Sequence, residues 1–210
     1  MTETHDGRAR HVLARPLALV NRNGQTHHRM KELPMDISTR PLAANPYDGL
    51  PPHDTFTLTS NDLVDGTTMP NIHTAAGGSL SPHLTWSDFP QGTESFVVTC
   101  FDPDAPTPSG WWHWTIVDIP ADQTELPQGA GTSDLELDGA AFHLRGDHGE
   151  PSYFGAAPPT GDRPHRYIFT VHALDVDSTG LDDEATPAAC ALTILTHTLA
   201  RASLTVTFSN

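Results

Sequence analysis

From about residue 47 onward the chain alternates between short runs of β-branched and aromatic residues and clusters of Pro, Gly, Asn and Asp. Phe56-Thr-Leu-Thr59, Leu84-Thr-Trp86, Ser95 to Phe101, Trp112 to Ile119 and His165 to Leu174 each have strand length and turn residues at their ends, which predicts a mostly-β domain. In the last of these runs Tyr167, Phe169, Val171 and Ala173 fall on one face, and Arg166, Ile168, Thr170 and His172 on the other. Apolar residues on both faces predict a strand inside the sheet. Thr186-Pro187 reads as an N-cap followed by Pro in the first turn, and Asp182, Asp183 and Glu184 place negative charge beside it. A helix is therefore expected over 187–201, with Ala188, Leu192, Leu195, Leu199 and Ala202 as its apolar stripe, followed by a strand from Ser203 to Phe208.

The first 45 residues have no such periodicity. They hold seven of the 11 basic residues and only four of the 26 acids, so they are expected to be a disordered basic extension to a domain spanning 46–210. A start at Met30 or Met35 instead of Met1 would account for the same contrast. The domain itself carries 22 acids against four Arg and no Lys, a balance that repels nucleic-acid backbones and anionic bilayers. Any phosphate must then be captured in a shielded pocket.

Cys100 and Cys190 lie far apart without C-x-x-C spacing, so neither a disulfide framework nor a zinc ribbon is expected. No window approaches a membrane span, and Arg15 and Pro16 interrupt the only leader-like run, so the expectation is a cytoplasmic protein without a transmembrane segment.

Two Pro-rich stretches hold the candidate chemistry. Asp102-Pro-Asp-Ala-Pro106 leaves a strand with two carboxylates whose backbones are restricted by proline, either as part of a binding site or as turn residues capping their own backbone. Trp112-His113-Trp114 places His113 opposite both Trp residues if that strand is regular. An imidazole near Asp102 or Asp104 would have its charged form favoured, which suits an anion. Pro158-Pro159-Thr-Gly161 then feeds a strand on which His165 and Tyr167 share a face. Arg166 points the other way, where a structural salt bridge is the plainer role, and Tyr167 can equally be a core tyrosine.

Together these motifs resemble the phosphatidylethanolamine-binding protein family, in particular its bacterial Raf-kinase-inhibitor-like branch, over about Tyr47 to Phe208. The residues carrying the resemblance are Asp102-Pro-Asp-Ala-Pro106, His113-Trp114 with Ile119-Pro120, and Gly155 through Pro158-Pro159 to His165-Arg166-Tyr167. The resemblance implies a β-sandwich-like fold on a large antiparallel sheet with a few peripheral helices, and a small anion-accepting cavity. By position, Asp102, Asp104, His113, Pro159, His165 and Tyr167 would be its ligand-binding residues. Ala156-Ala157 departs from the family's small-Pro pattern, and the loop Thr107-Pro-Ser-Gly110 is short, as in bacterial members.

The function expected is non-enzymatic binding of a small phosphorylated or other anionic ligand, such as a phospholipid headgroup, with no cofactor. In that reading His113, His165 and Tyr167 hold the phosphate, and Asp102 or Asp104 orients an imidazole or meets an ammonium group. The alternative is a protein that inhibits a protease or kinase through its surface; a homodimer follows from analogy alone. A hydrolase is disfavoured because Gly77-Gly-Ser-Leu-Ser81 lacks the second Gly of a nucleophile elbow and Ser109 has no activator. Thirteen His invite a metal reading, but no close ligand spacing supports one, and Asp104 with His113 would have to be joined by the fold.

Overall fold

The computed structural model describes residues 37–210, the side chain of Ser38 excepted. The β-branched and aromatic runs pair as antiparallel strands: β1 (Thr57–Thr59), β2 (Leu84–Ser87), β3 (Ser95–Asp102), β4 (Trp111–Pro120), β5 (Glu125–Leu126), β6 (Phe142–His143), β7 (His165–Leu174) and β8 (Thr198–Phe208). They form a five-stranded sheet in the order β6-β4-β3-β7-β8 and a three-stranded one in the order β1-β2-β5. This is the mostly-β class expected.

Each face of the larger sheet buries its own cluster. Phe96, Val98 and Cys100 of β3, Trp114 and Ile116 of β4, and Phe169 and Val171 of β7 pack against Phe56, Leu84, Trp86 and Leu126. On the reverse face Val97, Val117 and Leu174 pack with Cys190 and Ile194. The alternation read along β7 thus separates two cores. Both thiols are free and buried, one in each cluster.

The helix is shorter than the periodicity predicts. Helix α1 spans Pro187–Thr193, Ile194–Thr196 tightens to a 3-10 turn, and Thr198 already belongs to β8. The N-cap is as read: the Thr186 hydroxyl accepts from the Ala189 N–H at 3.1 Å. What ends the helix is pairing with β7, where Thr198 meets Leu174, Ala200 meets Ala173 and Arg201 meets His172. A ladder along a buried strand outweighs helix propensity in a run rich in Thr and Ile. Leu192, counted in the apolar stripe, is 74% exposed.

Strand β4 is also irregular where it matters. Cys100 pairs with Trp114 and Phe101 with Trp112, so the register slips by one residue and His113 is the unpaired extra. Trp112 turns to the reverse face beside Phe101 while Trp114 stays in the main core. The regular strand assumed for Trp112-His-Trp114 is therefore replaced by a bulge, the device that re-aims a side chain at a sheet's end. That end is shared by the last residue of β3 and the first residues of β4 and β7, which are neighbours in the sheet.

Of the segment expected to be a disordered extension, residues 1–36, including Met30 and Met35, lie outside the described residues. Residues 37–45 contact the domain: the Arg166 guanidinium donates to the Ala43 carbonyl at 2.7 Å, and Arg40 to the Asp104 carbonyl at 2.6 Å. The packed body therefore begins before residue 46.

Gly155 lies where a Cβ would come within 2.3 Å of the Thr74 carbonyl carbon and 2.5 Å of the Ala75 nitrogen. The Phe154–Pro159 wall is thus laid directly on the Thr74–Ala75 backbone, with the Ala75 N–H donating to the Ala156 carbonyl at 3.0 Å. Gly155→Ala should lower unfolding free energy by about 1–3 kcal/mol, as overpacking does elsewhere. Chemical denaturation measures this, and an unchanged midpoint would show that the close approach does not exist.

Candidate functional site

At that end of the sheet is a cavity of about 210 Å³. Asp102, His113, His165 and Tyr167 line it with Pro159, and Ala105, Trp111, Phe154 and Pro158 supply apolar wall. The sequence motifs, more than fifty residues apart, therefore converge. Five of the six residues expected to bind a ligand are present, and Asp104 is not.

Asp104 is withdrawn because its carboxylate is taken. Oδ2 accepts from Arg166 Nε at 2.7 Å and from the Arg166 N–H at 3.0 Å, and Oδ1 accepts from Arg166 Nη2 at 2.8 Å. This is a two-pronged guanidinium–carboxylate pair with a backbone contact added. Burial alone would raise the Asp104 pKa, but these bonds hold it below the usual carboxylate range. The salt-bridging role read for Arg166 is the one it has.

Asp102 combines the two roles that its sequence left open. Oδ1 accepts from the backbone N–H groups of Asp104 and Ala105 at 2.7 and 3.0 Å, which closes the Pro-rich turn. Oδ2 faces His165 Nδ1 at 2.8 Å. The other ring nitrogen, Nε2, faces Asp162 Oδ2 at 2.9 Å. Carboxylates accept and do not donate, so a ring between two of them must carry a proton on each nitrogen. Burial disfavours that charge, yet the two carboxylates win and raise the His165 pKa. Asp162 also meets Arg40 Nη2 at 2.9 Å, and despite burial its pKa is lowered by His165, the Arg163 N–H and Arg40.

His113 is prepared in the opposite sense. Its Nδ1 donates to the Phe154 carbonyl at 2.8 Å, and the ring stacks on Phe154 and meets Tyr167 edge-on at 5.1 Å. Burial pushes its pKa down to about 4, against the opposing pulls of that carbonyl and Asp102. At neutral pH the ring is uncharged and Nε2, which bonds no described residue, is an acceptor. The Tyr167 hydroxyl is buried without a hydrogen-bond partner; the Ala157 backbone approaches it but completes no bond. Burial keeps this phenol protonated.

These states divide the roles expected of His113 and His165. His165 is charged, but its N–H groups are committed to Asp102 and Asp162; His113 is free but uncharged. Two unsatisfied polar atoms therefore face the cavity, an acceptor at His113 Nε2 and a hydroxyl at Tyr167. The carboxylates beneath do not leave bare negative charge, since Asp102, Asp104 and Asp162 are matched by His165, Arg166 and Arg40.

Arg40 and Asp162 went unassigned in the sequence. Asp162 stands three residues before His165, between Pro159 and His165, and Arg40 lies in the basic segment expected to be an extension outside the domain. Among the described residues no group of three His, Cys, Asp or Glu side chains is placed to hold a metal, and no helix is long and apolar enough to cross a membrane.

Comparison with known proteins shows the family and the fold. The family model described as phosphatidylethanolamine-binding protein matches residues 59–209. The UPF0098 protein YbhB of Escherichia coli (strain K12) is 50% identical over 157 residues, which cover 72% of this chain and 99% of that protein. The UPF0098 protein YbcL of the same organism is 43% identical over 156 residues, 71% of this chain and 85% of its own. The crystal structure of E. coli YbcL, described as a new member of the mammalian PEBP family, superposes with a TM-score of 0.72 at 42% identity, covering 74% of this chain and 98% of that one. A homologue from Chlamydia trachomatis, titled a putative PEBP homologue, follows at 0.65 and 27% identity, covering 75% and 99%.

The two histidines should titrate in opposite directions, which imidazole nitrogen NMR resolves. His165 is expected to stay doubly protonated above its ordinary value, and His113 to stay neutral until pH falls to about 4. Asp162→Asn removes one carboxylate and should lower the His165 pKa. A His165 that loses its proton below the ordinary imidazole value in the wild-type protein would contradict the clamp. Because the folded pKa is raised, the clamp's contribution to stability is complete below the ordinary value and is lost as pH rises through the raised one.

Proposed function

This chain belongs to the phosphatidylethanolamine-binding protein family, and on that footing we propose that its cavity binds, without chemical turnover, a small phosphate monoester in its singly ionised form. The observation that carries this reading is that His113, whose Nε2 bonds no described residue, and Tyr167, whose buried hydroxyl has no hydrogen-bond partner, both line a cavity with mostly apolar walls. Such a pocket needs a ligand that both donates and accepts. A singly ionised monoester does so, its P–O–H meeting His113 Nε2 and another oxygen taking the Tyr167 hydroxyl.

Phosphodiesters and carboxylates at neutral pH lack the acidic proton, so they satisfy only half of the pair. An ammonium group finds little at Asp102, whose oxygens already accept from two backbone N–H groups and His165. The apolar walls suit the first carbons of the ester group. For catalysis the lining is poor: the Thr107 hydroxyl donates its proton to the Gly110 carbonyl and not to a base.

The second ionisation of a phosphate monoester falls near pH ~6, so above it the protonated form thins out about tenfold per pH unit. Calorimetry with O-phosphorylethanolamine should show affinity declining from pH 5.5 to 8.5, with uptake of about one proton per ligand at the upper end. Tyr167→Phe should weaken binding about tenfold or more. Glycerophosphorylethanolamine, the matching diester, should bind more weakly at pH 5.5. Binding that is independent of pH and equal for monoester and diester would refute the proton-sharing role of His113.

A further inference from the structure

The reverse face of the large sheet contains a second, smaller cavity, separated from the first by the sheet itself. It has about 40 Å³ of room, enough for roughly three waters. Thr99 of β3 and His172 of β7 form its floor, while Leu50, His53 and the Ile194–Leu195 turn close it. Thr99 and His172 are 3% and 6% exposed.

Three polar atoms here complete no hydrogen bond, Thr99 Oγ1, His172 Nδ1 and His53 Nε2, although the Tyr47 hydroxyl approaches Thr99. Buried polar atoms left without hydrogen bonds are destabilising, so the cavity suits an occupant that forms them. All three can donate at once, the hydroxyl directly and each imidazole through a proton on the free nitrogen. Burial, then Arg201 and His53, push the His172 pKa down to about 3, so that ring remains uncharged. No carboxylate lines the cavity, and the Cys190 thiol is pushed up to about 12.

Arg201 brings a full positive charge to the lining. Its guanidinium lies 4.7 Å over the Tyr47 ring, and its strand position pairs with His172. In a chain of net charge −15 the cavity is thus a local positive site lined by three groups able to donate. Leu50, Trp112, Ala191, Ile194 and Leu195 supply apolar wall, and Tyr47 and Thr198 complete the lining with Cys190.

We propose that this cavity is a second binding site, for a short aliphatic monocarboxylate. The carboxylate oxygens accept from Thr99, His172 and His53 near Arg201, and the hydrocarbon tail lies against the leucines and Trp112. A phosphate dianion brings a second charge that one arginine cannot balance in a buried site, and a cation meets Arg201 with like charge. The site is independent of the proposed phosphate pocket, whose residues project from the opposite face.

The test is titration with acetate, propionate and butyrate, followed by backbone amide NMR, alongside methylammonium as the cationic control. Thr99→Val deletes a donor at nearly constant shape, and Ala191→Leu, on the exposed side of α1, fills the cavity edge. Affinity should rise from acetate to butyrate with shifts centred on Thr99, His172 and Arg201, and either substitution should weaken it about tenfold or more. O-phosphorylethanolamine binding should be unchanged in Thr99→Val. No binding of any carboxylate, equal binding of methylammonium, or carboxylate binding indifferent to both substitutions would overturn the proposal.

Discussion

The arrangement around His165 governs the site. An imidazole with a carboxylate at each nitrogen can satisfy both only by holding two protons, and once it does so it becomes an internal cation tying β3, β7 and the Pro-rich loop together. Asp102 fastens the ring to the turn after β3, Asp162 fastens it to the loop before β7, and Arg40 extends the chain of charges into the segment preceding β1. Three acids that would otherwise repel an anionic ligand are thereby spent on three cations. What remains for a ligand is the neutral pair, His113 and Tyr167.

Sheet geometry makes this division possible. Because β4, β3 and β7 are adjacent, the ends of three strands bring Trp111, Asp102 and His165 together without any long loop reaching across. The bulge at His113 then rotates that ring out of the ladder and over Phe154 and Tyr167, where its Nδ1 is held by a carbonyl and Nε2 is left unused. Gly155 brings this wall close against the Thr74–Ala75 backbone, so the ring's support is part of the packed body. The same sheet gives its other face to a cavity of different chemistry, where donors surround one arginine.

Much of this was legible in the chain. Strand runs, their two-faced alternation on β7 and the N-cap at Thr186 follow from local patterns that the tertiary structure keeps, whereas the meeting of the two Pro-rich motifs was implied by the family resemblance. Long-range pairing overrode local pattern in two places: β8 recruited Thr198 to Arg201 from the expected helix, and the slip between β3 and β4 moved His113 off the regular face. The roles of individual charges were harder to read, because Asp102, Asp104 and Asp162 look alike in sequence and differ only in which cation the fold brings to each. Arg40 was hidden by the same logic, since a basic segment without periodicity gives no sign of where it docks.

The most direct test of the account is a high-resolution crystal structure of the protein soaked with O-phosphorylethanolamine near pH 6. The account predicts phosphate oxygens within hydrogen-bond distance of His113 Nε2 and the Tyr167 hydroxyl, with His165 still bridging Asp102 and Asp162. A phosphate bound directly to His165, with that ring swung away from either carboxylate, would contradict it.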